Sequence, residues 1–301
     1  MPYTTLNNQS VQQILQQFDI APLVKWEILK GGSTNTNHLI ETTEQKYVLT
    51  ICDSKTFEAT KILVDLLKHL ANHHFKTSKV IANKAGESIH FFNNKPIILK
   101  EYIVGKVIRN HTDDTLEQIG QTIAKLHLIP SPDYLSKPAS CGTEILSQLK
   151  NEISHPFVDW LKEMHIYVKN NIDHDLPKTL VHRDIFFSNV IIDNEDQPII
   201  FDFEEACYYY RMYDIGMAII GLCNEQGTIN FSKVDKLIHG YEQITILEVR
   251  EKEMMPFFIG YAATFIASWR FCQFRLITPT LSSQNTYLEM KKIASEMRFI
   301  S

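Results

Sequence analysis

The stretch from Thr179 to Phe203, TLVHRDIFFSNVIIDNEDQPIIFDF, most constrains what this chain can fold into, because it sets two β-rich runs inside sequence that is otherwise helical in period. Val190 to Ile192 and Pro198 to Phe201 carry branched and aromatic side chains suited to a pleated surface, and the polar Asp193 to Gln197 between them reads as a turn. On both sides, apolar residues recur at helical spacing over Asp113 to Leu128, Glu144 to Asn171, Met212 to Cys223, Phe231 to Ile244, Glu248 to Leu276 and Ser283 to Met297. A hairpin inside a helical body is a device for holding polar side chains at a cleft.

Ahead of residue 104 the pattern differs. Val11, Ile14, Leu15 and Phe18 fall at helical spacing, and short strands are expected at Trp26 to Leu29, His38 to Glu41, Lys46 to Ile51, Ser78 to Ala82, Ser88 to Phe91 and Pro96 to Tyr102. Phe57 to Leu70 is one amphipathic helix whose stripe, Ile62, Leu63, Leu66, Leu67 and Leu70, is a core face. The expected fold class is therefore α+β: an antiparallel sheet with one helix over 1–104, and a mostly helical lobe with a hairpin over 105–301.

Composition narrows the function classes. Among 301 residues, 30 Lys+Arg face 35 Asp+Glu, so no broad basic field is available for nucleic acid or an anionic membrane. The five cysteines, Cys52, Cys141, Cys207, Cys223 and Cys272, form no C-x-x-C pair, which argues against a disulfide framework or zinc site and fits a reducing cytoplasm. Met1 to Phe18 is polar, so no signal peptide is expected there. The apolar run Pro256 to Trp269 is shorter than the ~20 residues a bilayer span needs and is expected to be a buried helix.

The chemistry lies in the hairpin. His182-Arg183-Asp184 followed by Asn189 fits the catalytic-loop pattern H-R-D-x-x-x-x-N, and Asp202-Phe203-Glu204 follows where a D-F-G would stand. Phosphoryl transfer to an alcohol needs a carboxylate to accept the hydroxyl proton, which is Asp184, and oxygen ligands for magnesium, which are Asn189 and Asp202. Glu204 is a further carboxylate able to join that shell. Upstream, Gly31-Gly32-Ser33-Thr34-Asn35 lies between two expected strands, where backbone amides and small hydroxyls suit nucleotide phosphates.

Taken together, these features resemble the aminoglycoside phosphotransferase and choline kinase superfamily, with its bilobal protein kinase-like fold, over nearly the whole chain. The likeness is strongest to the type II homoserine kinases. It is carried by the Gly31 to Asn37 loop ending in T-N-T-N, Tyr47-Val48-Leu49-Thr50, the F-D-F-E-E-A-C run at Phe201 to Cys207, Tyr213-Asp214-Ile215, and Arg270 to Leu276. The resemblance implies ATP and Mg2+ as cofactors, a nucleotide-binding first lobe with Glu101 and Ile103 at the hinge that ends it, and a small hydroxyl-bearing acceptor, foremost homoserine. Choline, ethanolamine, hydroxylysine and aminoglycosides are the alternatives, and a catalytically weak nucleotide-binding module is the non-enzyme one.

Three departures stand out. Thr50 occupies the position of the usual third-strand lysine, for which Lys46, on the same strand face, and Lys30 are substitutes, while the helix carboxylate is Glu58 or Asp65. Arg183 replaces a common glycine and either contacts a phosphate or faces solvent. Glu204 replaces the glycine of D-F-G. For an amino acid acceptor, Arg270 and Arg275 offer a guanidinium to the carboxylate, Arg270 foremost because it ends the least polar helix; for choline, Tyr208 to Tyr210 with Tyr213 offer aromatic faces, though three consecutive tyrosines read mainly as a packed loop. Asp214 is expected to cap a helix and brace the catalytic loop, and His127, His165 and His174 show no partner pattern.

Overall fold

The computed structural model describes residues 4–29, 35–138 and 154–300. They form two units. One comprises the described residues through Gly105 together with Phe201–Glu204; the other comprises those from Lys106 to Ile200 and from Glu205 onward.

The first unit is built on α1 (Asn8–Leu15), β1 (Leu23–Ile28), β2 (Thr36–Thr42), β3 (Lys46–Ile51), α2 (Phe57–Asn72), β4 (Val80–Ile81), β5 (His90–Phe92) and β6 (Lys95–Glu101). The strands make one antiparallel sheet in the order β1-β2-β3-β6-β4, with β5 added on β6. Alternation explains the pleat: in β2, buried Thr36, His38, Ile40 and Thr42 alternate with less buried neighbours. Val11, Ile14, Leu15 and Phe18 pack with Ile40, Leu49, Ile51, Ile97 and Leu99 in one apolar cluster. Thr56 caps α2 by accepting from the Ala59 N–H. The inner stripe of α2 is as expected except for Ile62, which is exposed.

The second unit contains β7 (Lys106–Val107), α3 (Asp113–His127), α4 (Pro156–Asn171), β8 (Lys178–Val181), β9 (Val190–Ile192), β10 (Pro198–Ile200), β11 (Cys207–Tyr210) and α5 (Arg211–Leu222). After these come the hairpin β12 (Asn224–Glu225) and β13 (Thr228–Ile229), then α6 (Phe231–Glu242), α7 (Val249–Glu253), α8 (Met255–Phe271) and α9 (Tyr287–Arg298). α8 is buried along most of its length, as its unbroken apolar sequence predicts, and no helix among the described residues is long and apolar enough to cross a membrane. α3 and α6 touch backbone to backbone: a Cβ on Gly240 would lie 1.9 Å from the Glu117 carbonyl oxygen.

Two expectations need correcting. The tyrosine triplet is not a loop but strand β11, paired antiparallel with β8, with Tyr209 and Tyr210 buried. Strand pairing is a long-range event that alternation over so short a run does not reveal. The single helix expected over Glu248 to Leu276 is broken at Met254, and its last turn is a π-helix over Cys272–Ile277. Much of the expected Glu144 to Asn171 helix lies outside the described residues, as does Cys141; the described part begins at Pro156, with His155 as its cap.

Candidate active site

In the second unit, β9 pairs with β10 in the register Val190↔Ile200 to Ile192↔Pro198, and β7 pairs on the other edge of β9. The turn between them is fixed by Asp193, whose carboxylate accepts the N–H groups of Glu195 and Gln197, both at 2.9 Å. The hairpin therefore starts at Asn189 and delivers the chain to Phe201. Just before it, the loop from His182 is tied down by one buried carboxylate: Asp214 accepts the His182 N–H at 2.8 Å and the Arg183 N–H at 2.7 Å. Asp214 lies inside the first turn of α5 and does not cap it, since Tyr210 holds the cap position. Its role as a brace stands.

Burial pushes the Asp214 pKa up most strongly, but the hydrogen bond and charge of His127, with the loop N–H donors, bring it below the ordinary carboxylate value. His127 joins Asp214 at 3.1 Å through Nε2 and the Tyr241 hydroxyl at 3.0 Å through Nδ1. No local pattern signals this pair, because the His–Asp contact joins residues far apart in the chain. The loop also presses on α5, where a Cβ on Gly221 would meet the Ile185 carbonyl oxygen at 2.3 Å, so glycine is required there.

On this base stands Asp184, half-buried. The Asn189 amide nitrogen donates to its Oδ2 and to its backbone oxygen, both at 2.8 Å. The amide thus spends its donors on Asp184, which leaves its carbonyl oxygen as the ligand end. Arg183 carries a left-handed backbone, φ 70°, and its guanidinium carbon lies 5.6 Å from the centre of the Phe265 ring on α8.

In the first unit, Asp202 also has φ 70°, strain of the kind that concentrates at functional sites. Two residues on, Glu204 accepts from the Asn35 amide and pairs with Lys55, whose Nζ is 3.6 Å from Oε2 and 3.3 Å from the Glu204 backbone oxygen. Burial first and the Asp202 charge second raise the Glu204 pKa, against the pull of Lys55, Lys100 and Asn35. A carboxylate held at such a disadvantage suits a cation. Among the described residues no three His, Cys, Asp or Glu side chains converge, but magnesium needs only one or two carboxylates beside phosphate and water oxygens, so Asp202 and Glu204 fit it.

The remaining residues sort as follows. Gly31, Gly32, Ser33, Thr34 and Lys30 lie outside the described residues; Asn35, the end of that loop, is buried. The next residue, Thr36, donates to Asp53, which also takes Thr4 and, at 2.6 Å, Lys95. Lys46 stands exposed with its Nζ 3.6 Å from Glu41, whereas Lys55, which no motif singles out, is the lysine joined to Glu204. Thr50 is buried and donates to Asn37 at 2.7 Å. Glu101 ends β6 with Lys79 at 4.0 Å, and Ile103 follows it, half-buried. Glu58 is exposed in the first turn of α2 and Asp65 pairs with Lys61 on the same helix. Arg270 has its partner within the chain: NH1 donates to Glu289 at 3.0 Å and to the Thr286 carbonyl at 3.1 Å. Arg275 lies on the π-helix, 3.4 Å from Asn285.

Comparison with known proteins bears on family and fold. Residues 25–246 match the phosphotransferase enzyme family. A homoserine kinase of Methylobacillus flagellatus is 26% identical over 269 residues, covering 87% of this chain and 83% of its own length. Among solved structures, an amicoumacin kinase in complex with AMP-PNP and Ca2+ superposes with a TM-score of 0.76 at 14% identity, over 97% of this chain and 94% of its own. A microcompartment-associated aminopropanol kinase gives 0.75 at 15% identity, over 98% and 96%. The fold is thus the protein kinase-like one.

Proposed function

Because this chain belongs to the phosphotransferase enzyme family, we propose that it is an ATP-dependent small-molecule kinase that phosphorylates the hydroxyl of homoserine. The observation that carries the reading is Asp184, a half-buried carboxylate fixed by Asn189 on a loop that Asp214 braces from below. Choice of homoserine over other alcohols rests on the likeness to homoserine kinases across most of both chains.

Asp184 takes the proton of the acceptor hydroxyl as that oxygen bonds to the γ-phosphorus; the bond from phosphorus to the β-phosphate oxygen breaks and ADP leaves. Asp202 and Glu204 would hold magnesium, whose chemistry is to neutralise charge gathering on the phosphate oxygens, and Asn189 fixes the Asp184 carboxylate. Asp214 contributes by holding the His182 and Arg183 amides, so the path of the chain into Asp184 does not wander. On the nucleotide side, Glu101 and Ile103 serve the base, and Lys55 serves the phosphates in the role for which the sequence offers Lys46 or Lys30.

The test is ADP release with magnesium and ATP across homoserine, choline, ethanolamine, hydroxylysine and aminoglycosides. Homoserine is expected to give a kcat/KM at least about tenfold above every other acceptor. A preference for choline or an aminoglycoside overturns the assignment of substrate.

A further inference from the structure

We propose that Arg183 receives the carboxylate of the acceptor and so sets specificity for a carboxylate-bearing alcohol; this rests on the homoserine reading above. The backbone supplies the first argument. At φ 70° a residue with a Cβ is strained and glycine is not, yet an arginine stands there, its N–H fixed by Asp214 at 2.7 Å. A long cationic side chain is thereby aimed from a rigid point of the loop.

The second argument is where that side chain goes. Its guanidinium lies over the half-buried Phe265 ring of α8, 5.6 Å from the ring centre. Contact with an aromatic face orients a guanidinium plane, and the N–H edges of that plane are what a carboxylate accepts from. Arg183 also directly precedes Asp184. In homoserine a short carbon chain joins hydroxyl and carboxylate, so one small molecule can present its hydroxyl to Asp184 and its carboxylate to the neighbouring side chain.

Charge supplies the third. The loop already holds Asp184, with Asp214 beneath it on α5, and an acceptor that adds another carboxylate to a partly desolvated place needs a cation there. Arg183 is the cation that the loop itself brings.

The experiment compares homoserine with 3-aminopropan-1-ol, which is homoserine with hydrogen in place of the carboxylate, using wild type, Arg183→Gln and Arg183→Gly. Wild type is expected to prefer homoserine, and in both variants the ratio of kcat/KM values for the two alcohols falls at least about tenfold, through KM for homoserine and with KM for ATP moving less than about twofold. Glycine accepts this backbone, so Arg183→Gly should melt no lower than wild type, and its loss of preference cannot be put down to unfolding. An unchanged ratio overturns the proposal. So does a rise in KM for ATP with equal losses on both alcohols, which would put Arg183 on a phosphate. A wild-type enzyme that ignores homoserine but uses another alcohol refutes the substrate reading before any variant is made, and the two failures are distinct.

Discussion

The carboxylate beneath the catalytic loop and the carboxylate at the start of β2 are held in opposite ways. Asp214 is fully buried and takes two backbone N–H groups and the His127 ring. Asp53 has a side chain 6% exposed and takes the Lys95 ammonium and the hydroxyls of Thr4 and Thr36. Backbone donors fix the path of the main chain, which is what a proton acceptor at the next residue requires. Hydroxyl donors fix side chains at the ends of segments, here the start of β2 directly after Asn35, and a lysine does for Asp53 what the His127 ring and backbone N–H dipoles do for Asp214. The second unit spends its buried charge on geometry at one atom; the first spends it on anchoring a loop end.

That contrast separates chemistry from scaffolding, and Asp184→Asn breaks the two apart most sharply. The amide keeps the shape and cannot accept the proton, so kcat should fall by roughly 10²–10⁴-fold while the melting temperature stays close to that of wild type. Turnover that survives the substitution removes Asp184 from the mechanism.

Asp214→Ala attacks the brace instead. It leaves the His182 and Arg183 amides and His127 without their acceptor in a buried place, at a cost of about 3–5 kcal/mol. Differential scanning calorimetry should show a Tm lower by roughly 10 °C, and the protein still folded at low temperature should lose at least about tenfold in kcat. A lower Tm with unaltered kcat would make the brace structural only.

Much of this was legible in the sequence because it is local. The hairpin, Asp184, Asn189 and Asp202 sit in one short segment whose residue types follow from the chemistry, and β3 and α2 follow from period and capping. The partners brought together by folding were not legible. His127 meets Asp214 and Lys55 meets Glu204 across long stretches of chain, and β11 is a strand only because β8 lies beside it. Arg270 shows the same limit from the other side: its place at the end of an apolar helix required a partner, but nothing local pointed to Glu289 rather than a substrate.

Lys95→Met probes the other half of the contrast. Burial pushes the Asp53 pKa up, but hydrogen bonds from Lys95, Thr36 and Thr4 bring it below its ordinary 3.8. In wild type the stability due to ionised Asp53 is therefore present above the unfolded value and is lost only as pH falls through the lower folded one. Without Lys95 its hydrogen bond and charge no longer oppose burial, so the Asp53 pKa rises and the native state takes up the proton at higher pH than in wild type. The variant should be less stable by about 1–3 kcal/mol at pH 7, with the gap to wild type closing toward pH 4. A gap independent of pH would assign the loss to packing of the lysine stem.

The smallest effect concerns which lysine serves the nucleotide. A lysine that meets phosphates needs partial desolvation, since a solvated ammonium gains little from a charged partner. Lys55 meets that condition, with a side chain 18% exposed and its Nζ 3.6 Å from Glu204, itself part of the D-F-E run; Lys46, at 44% exposed, faces water beside Glu41. The expected penalty is modest because Lys55 already has a carboxylate to lose: Lys55→Met frees Glu204 to bind metal more strongly, offsetting part of the lost attraction. Lys55→Met should raise KM for ATP about fivefold, roughly 1 kcal/mol, and Lys46→Met less than about twofold. Measured at saturating acceptor, the reverse order would return the role to the strand lysine and leave Lys55 as the counter-charge of Glu204 alone.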